Sequence, residues 1–124
     1  MPGVQRAEYA VLLHRGDWRE ADCYGAADAF LVPFERARAA GAGSTPATGG
    51  ALRVDGAEVS AVVRSPGGLV VRVFRTDAEA GPVTIEHEGS PARGWVIDLQ
   101  GRPVAPFEGS VDLRPWEICT LQLA

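Results

Sequence analysis

The sequence predicts an all-β protein, an antiparallel β-sandwich with one short helix near the N-terminus. Three observations carry this. In five successive segments of the second half, apolar residues recur at every second position. Between them lie turn-forming groups: Asp55-Gly56, Pro66-Gly67-Gly68, Gly81-Pro82, Gly89-Ser90-Pro91 and Gln100-Gly101. The 15 glycines and 9 prolines make roughly a fifth of the 124 residues, rich in turns yet below the ~25–30% typical of disordered chains. A chain of this length forms one domain, read here as residues 1–124, and buries a core without disulfides or metals.

The elements follow in order. Residues 8–14 read as a strand apolar on both faces: Tyr9, Val11 and Leu13 on one, Ala10 and Leu12 on the other. Such a strand is expected to be covered on both sides. Residues 18–29 are rich in alanine with early acids and predict a short helix, which Pro33 stops or redirects. Residues 30–38 are expected to continue as an irregular strand. Residues 39–50 are small and polar and read as a mobile surface loop rather than a linker.

The alternating segments come next. Val59, Ala61 and Val63 are expected to share a face, as are Leu69, Val71 and Val73. Val83, Ile85 and His87 form a third set, and Trp95, Ile97 and Leu99 a fourth, with Trp95 expected in the core. Cys119, Leu121 and Leu123 close the chain as the fifth. Each set implies a half-buried strand with one face on the core and the other in water.

The charge pattern excludes some partners. The net charge is −4, all 12 basic residues are arginine, and they are scattered among acids. Nucleic acid or an anionic membrane surface would need a clustered positive field, so neither is expected as a partner. No apolar run reaches the ~18–20 residues of a membrane-spanning helix. The first residues have neither the basic start nor the apolar run of a signal peptide, which points to a cytoplasmic protein. Cys23 and Cys119 form no CxxC; they are expected as reduced, largely buried thiols, with a bridge between them left open.

No catalytic, cofactor-binding or metal-ligating set is legible. His14 and His87 are the only histidines, and there is no HxH, HExxH or Cys/His cluster. Glu86 and Glu88 alternate to the strand face opposite His87, so the triplet does not converge on a metal. No GxSxG elbow is present, and a chain without lysine has no P-loop. Exposed tryptophans stack on sugar rings, because a flat apolar face matches the C–H face of a pyranose. Trp116, beside Pro115 at the start of the last strand, and Trp18 are the candidates for that role.

Several runs resemble the C-terminal region of glycoside hydrolase family 38 α-mannosidases. Tyr9-Ala10-Val11-Leu12-Leu13-His14-Arg15-Gly16-Asp17-Trp18 resembles that family's apolar strand ending in Pro-His before Gly-x-Trp, with Leu13 in place of the proline. Ala29-Phe30-Leu31-Val32-Pro33-Phe34 is similar to its Phe-Asn-x-Pro-Leu, with Leu31 in place of asparagine. Leu69-Val70-Val71-Arg72-Val73-Phe74 resembles its Leu-x-x-Arg-x-Tyr strand, although Arg75-Thr76 replaces the usual following residues. Asp98-Leu99-Gln100-Gly101-Arg102-Pro103-Val104 resembles its Asp-Leu-x-Gly-x-Pro-Leu hairpin. The run from Leu113 through Arg114-Pro115-Trp116-Glu117 to Leu123 resembles its Pro-Phe-Glu-Ile-x-Thr-Leu-x-Leu closing strand. The runs occur in the family's order across almost the whole chain.

The resemblance implies a non-catalytic, structural domain of an α-mannosidase-like enzyme of carbohydrate metabolism. Family members hold zinc and an aspartate nucleophile in a separate N-terminal catalytic domain. Its His-x-Asp zinc motif has no counterpart here, so no catalytic residue carries over and no cofactor is expected in this chain. The implied partners are the catalytic and middle domains of the parent enzyme, or a second copy of the chain. Tyr9, Val11, Leu13, Trp18, Tyr24 and Phe30 are the expected interface. An autonomous carbohydrate-binding module, or an interaction domain from a truncated gene, is the alternative.

Overall fold

The structure is a computed structural model that describes every residue except 1, 2, 33, 37, 39, 40, 42 and 45–47. The chain divides into two compact units, Met1–Ser44 and Thr45–Ala124. Among the described residues, nine strands in two antiparallel sheets and a single helix form an all-β, sandwich-like fold.

The first unit holds the helix, α1 (Cys23–Leu31). It starts five residues later than the alanine content suggested, because two aspartates take the backbone for themselves. The Oδ1 atom of Asp17 accepts the N–H groups of Arg19 at 2.8 Å and Glu20 at 2.9 Å, which makes residues 17–20 a turn. Asp22, at φ 47°, is the N-cap and accepts the N–H of Gly25 at 3.2 Å. At the other end Val32 is extended, the conformation favoured before a proline. Pro33 itself lies outside the described residues.

Among the described residues, two expected strands are absent. Residues 4–14 form no ladder, and Tyr9 and Leu13 are 87% and 93% exposed. A strand needs a neighbour to take its N–H and C=O groups, and the described residues of this unit supply none. Ala10, Val11 and Leu12 instead line a groove with α1. Phe30 and Leu31 belong to the helix, and the described residues of 32–38 are irregular rather than a strand. The described part of the 39–50 segment is irregular and exposed, and the rest of that segment lies outside the described residues.

The second unit contains every strand among the described residues: β1 (Leu52–Asp55), β2 (Glu58–Ser65), β3 (Gly68–Phe74), β4 (Gly81–His87), β5 (Ser90–Pro91), β6 (Arg93–Ile97), β7 (Pro103–Glu108), β8 (Ser110–Leu113) and β9 (Ile118–Leu123). In the smaller sheet β4 pairs with β1, and also with β5 and β8, which meet different stretches of it. The larger sheet runs β2-β3-β9-β6-β7.

The core joins the two sheets. Val83 and Ile85 of β4 belong to one buried cluster with Val71 and Val73 of β3 and Cys119, Leu121 and Leu123 of β9. Phe107, Leu113 and Ala92 complete it. Burying each of these larger side chains stabilises the fold by roughly 1.5–3 kcal/mol. The expected alternation therefore holds in β3, β4 and β9.

It fails in β2. Val59 lies opposite Val73 and Ala61 opposite Arg72, so β2 advances two residues while β3 advances one. Ser60 is the extra residue of a bulge, and its hydroxyl donates to the carbonyl of Arg72 at 3.3 Å. The bulge reverses the faces: Val62, opposite Val71, shares the inner side with Val59, whereas Ala61 and Val63 go to the outer side.

Candidate functional site: the outer face of the larger sheet

Register fixes what the outer side of the larger sheet carries. Directly opposed residues share a face. Leu121 is buried and pairs with Val71 and Val96, so the adjacent rows face outward. One outward row runs Val63, Val70, Gln122, Trp95 and Pro106 across all five strands. The next runs Ala61, Arg72, Thr120 and Ile97. The third holds Phe74 and Ile118.

This face is apolar apart from Gln122, Arg72 and Thr120, and uncovered within its unit. Ile118 is 67% exposed, Val63 56% and Trp95 48%. The expectation that Trp95 is a core residue is therefore corrected. It shares a side with Ile97, as the alternation required, but Gly94 and Val96 are the inward residues of β6. Gly94 lies against the backbone of β9, where a Cβ would collide with the carbonyl of Gln122.

Polar groups gather at one part of the face. A groove of about 540 Å³ is lined by Arg72, Ile97, Asp98, Glu117, Ile118 and Thr120, among others. The Nε of Arg72 donates to the Thr120 hydroxyl at 3.2 Å. Asp98 closes the β6–β7 turn: its Oδ1 accepts the N–H groups of Gln100 at 2.8 Å and Arg102 at 2.9 Å, and its Oδ2 takes Arg102 Nε at 2.7 Å. These bonds hold its carboxyl below the usual carboxylate range. Glu117 is held low in the same way by Arg114. Both acids keep part of their surface in the groove, each side chain being 28% exposed.

The residues singled out from sequence lie apart. Trp116 is 57% exposed in the corner between β8 and β9, at φ 61°, a conformation uncommon for a bulky residue. Trp18 is half-buried in the first unit, edge-on to Tyr24 at 5.6 Å, with the Arg19 guanidinium 4.5 Å from its ring centre. Tyr9, Val11, Leu13 and Phe30 are exposed, and Tyr24 is at the border of exposure. Val11 and Phe30 line a groove of about 340 Å³ with Cys23 and alanines of α1.

His14 is exposed, whereas His87 is half-buried beside a separate groove that also includes Arg64 and Leu69. Cys23 and Cys119 are both free thiols, and burial pushes the Cys119 thiol up. Among the described residues no three His, Cys, Asp or Glu side chains come together to hold a metal. No described helix is long and apolar enough to cross a membrane.

The chain matches no family model, no curated protein and no solved structure. The outer face was overlooked in the sequence, although a signal was present: Trp95-Val96-Ile97 is apolar at both parities, as are Val62-Val63 and Val70-Val71. A run with no polar parity marks a strand covered on both sides.

Proposed function

We propose that this chain is a non-catalytic structural domain of an α-mannosidase-like glycoside hydrolase, acting by packing against the parent's catalytic and middle domains. The observation that carries the reading is the uncovered apolar outer face of the larger sheet, where Ile118, Val63 and Trp95 meet solvent. A sandwich facing water there would carry polar residues on the flanking strands too, not only Arg72, Thr120 and Gln122 in the middle of the face. Further support comes from the ordered family resemblance, two of whose segments have fixed structural roles. Asp98 ties the turn of the Asp-Leu-Gln-Gly-Arg-Pro segment, and Glu117 ties the corner of the Arg-Pro-Trp-Glu segment.

Zinc belongs, in this reading, to the parent's catalytic domain. The described residues here offer no ligand set for it, and no chemical step is assigned to it in this chain. A cytoplasmic setting belongs to the same proposal, since reducing conditions keep Cys23 and Cys119 as thiols. The test is hydrolysis of an aryl α-mannoside by the purified chain, with and without added zinc. The proposal expects none. Turnover that survives repurification and follows the protein peak contradicts it.

A second reading, an autonomous carbohydrate-binding module, is favoured by one observation. Trp95 lies in a row with Gln122, next to the row of Arg72 and Thr120, which places an aromatic ring and hydrogen-bonding side chains on one open face.

A further inference from the structure

We infer that the end of the sandwich beside the β2–β3 turn binds a small oxyanion, a carboxylate or phosphate group, between Arg64 and His87. The inference does not rest on the proposed parentage.

Register brings these two residues together from opposite sheets. On β4, Val83 and Ile85 are buried, and His87 continues the same inward parity to the end of the strand. On β2, Arg64 lies opposite Leu69, which packs on the core from β3, so Arg64 is on the inner side of the larger sheet. Each sheet thus ends a core-facing row on a nitrogen-bearing side chain where the pattern calls for an apolar one. Both residues line one groove of about 330 Å³, whose apolar wall comes from Pro66, Leu69 and Ala124. That volume is at the small end of the range for ligand sites, and an apolar wall with a few converging polar groups is their usual make-up.

The lining selects the sign of the ligand. The chain has 16 acidic residues against 12 basic ones, yet no aspartate or glutamate is among the described residues that line this groove. Glu86, next to His87 in sequence, is on the outer side of β4, opposite Arg53. The Ser65 hydroxyl donates to the Gly68 carbonyl at 3.2 Å and is engaged in the turn. Among the described residues, no hydrogen bond or ion pair engages Arg64 or His87, and the carboxylate of Ala124 is within ion-pair distance of neither. Arg53, Arg75, Arg102 and Arg114, by contrast, each hold a carboxylate of this chain. A planar guanidinium with free N–H groups matches two oxygens of a carboxylate or phosphate. An imidazole N–H supplies a further donor from the opposite sheet.

The turn beside the groove is fixed. Gly68, at φ 118°, lies so close to β9 that a Cβ would meet the carbonyl of Leu123, which pins the β2–β3 turn against the end of the last strand. A site already in place loses less conformational freedom on binding. Arg64 is exposed, so water competes with the ligand and the affinity is modest.

Amide NMR spectra of the isotopically labelled whole chain test the inference, titrated with sodium phosphate and, separately, sodium acetate against sodium chloride of equal ionic strength. Saturating shifts at Ser65, Gly68, Leu69 and His87 are expected with phosphate or acetate and not with chloride, and the tighter of the two names the group that the ligand carries. Arg64→Gln should weaken binding about tenfold, the usual loss of a charge-assisted hydrogen bond, and His87→Gln severalfold. Arg53→Gln, which removes the same charge from the outer side of the smaller sheet, should bind as the unaltered chain does. The same spectra verify that each variant folds. Shifts that never saturate, or that match those with chloride, overturn the inference. So does binding unchanged in a folded Arg64→Gln or His87→Gln variant, or a loss in Arg53→Gln equal to that in Arg64→Gln.

Discussion

Glu117 holds Arg114 by three hydrogen bonds: its Oε2 accepts the backbone N–H at 2.8 Å and Nε at 3.2 Å, and its Oε1 accepts Nη2 at 3.0 Å. The pair clamps the corner that turns β8 into β9, the central strand of the larger sheet. These bonds favour the charged carboxylate and lower its pKa below the ordinary glutamate value. A carboxylate lowered in the folded state stabilises above the unfolded value and loses that contribution as pH falls through the folded one. The stability gap between the unaltered chain and Glu117→Gln should therefore be full near neutral pH and shrink as pH drops below the ordinary carboxylate range. Thermal melts of both proteins across acidic pH check this; a gap independent of pH would mean the clamp contributes nothing through its charge.

Leu121 is fully buried between Val71 and Val96, its neighbours on β3 and β6. Leu121→Ala removes buried methyl groups and leaves a cavity, which costs about 2–5 kcal/mol. Urea denaturation is expected to show the midpoint falling accordingly. An unchanged midpoint would place the strand outside the core.

Gly68 and Gly89 separate two reasons for glycine. Both have positive φ, 118° and 77°, so any side chain is strained at either position. At Gly68 a Cβ also meets the carbonyl of Leu123, whereas at Gly89 it meets open space. Gly68→Ala should thus cost about 1–3 kcal/mol more than Gly89→Ala, the scale of forced overpacking. Equal losses in urea midpoints would leave φ as the whole explanation.

Sugar binding is the point at which the two functional readings diverge. For a structural domain, titrating mannose, mannobiose and mannan while following tryptophan fluorescence should reveal no binding tighter than about millimolar, roughly −4 kcal/mol. A saturable response abolished by Trp95→Ala or Trp116→Ala would favour the carbohydrate-binding module. Which substitution acts would tell the sheet face from the corner.

The sandwich-like fold was legible wherever one parity of a strand is polar. Val83-Thr84-Ile85-Glu86 and Cys119-Thr120-Leu121-Gln122 declare their buried side directly. The Ser60 bulge was not legible, since one extra residue in a valine-rich strand leaves no local mark, yet it exchanges the roles of Val62 and Val63. The extended reading of residues 8–14 failed for another reason: apolar content suggests burial, but a strand also requires a partner. The helix start was misplaced because the alanine content and early acids of residues 18–29 read as helical from Trp18; Asp17, which ties a turn, and Asp22, which caps the helix, have the turn and cap roles expected of them. Trp116 and Trp18 were singled out by residue type; Trp116 is exposed and Trp18 half-buried. Arg72 and Trp95 were missed because their outward placement depends on pairing across β3, β9 and β6, which the sequence does not display.

The central claim, that this is a structural domain of a larger glycosidase, is tested most directly by sequencing the full transcript that encodes the chain. The account predicts an open reading frame that continues upstream through a helical region to a catalytic domain with a His-x-Asp zinc motif, several hundred residues before Tyr9. A transcript whose frame encodes no glycosidase domain would contradict it.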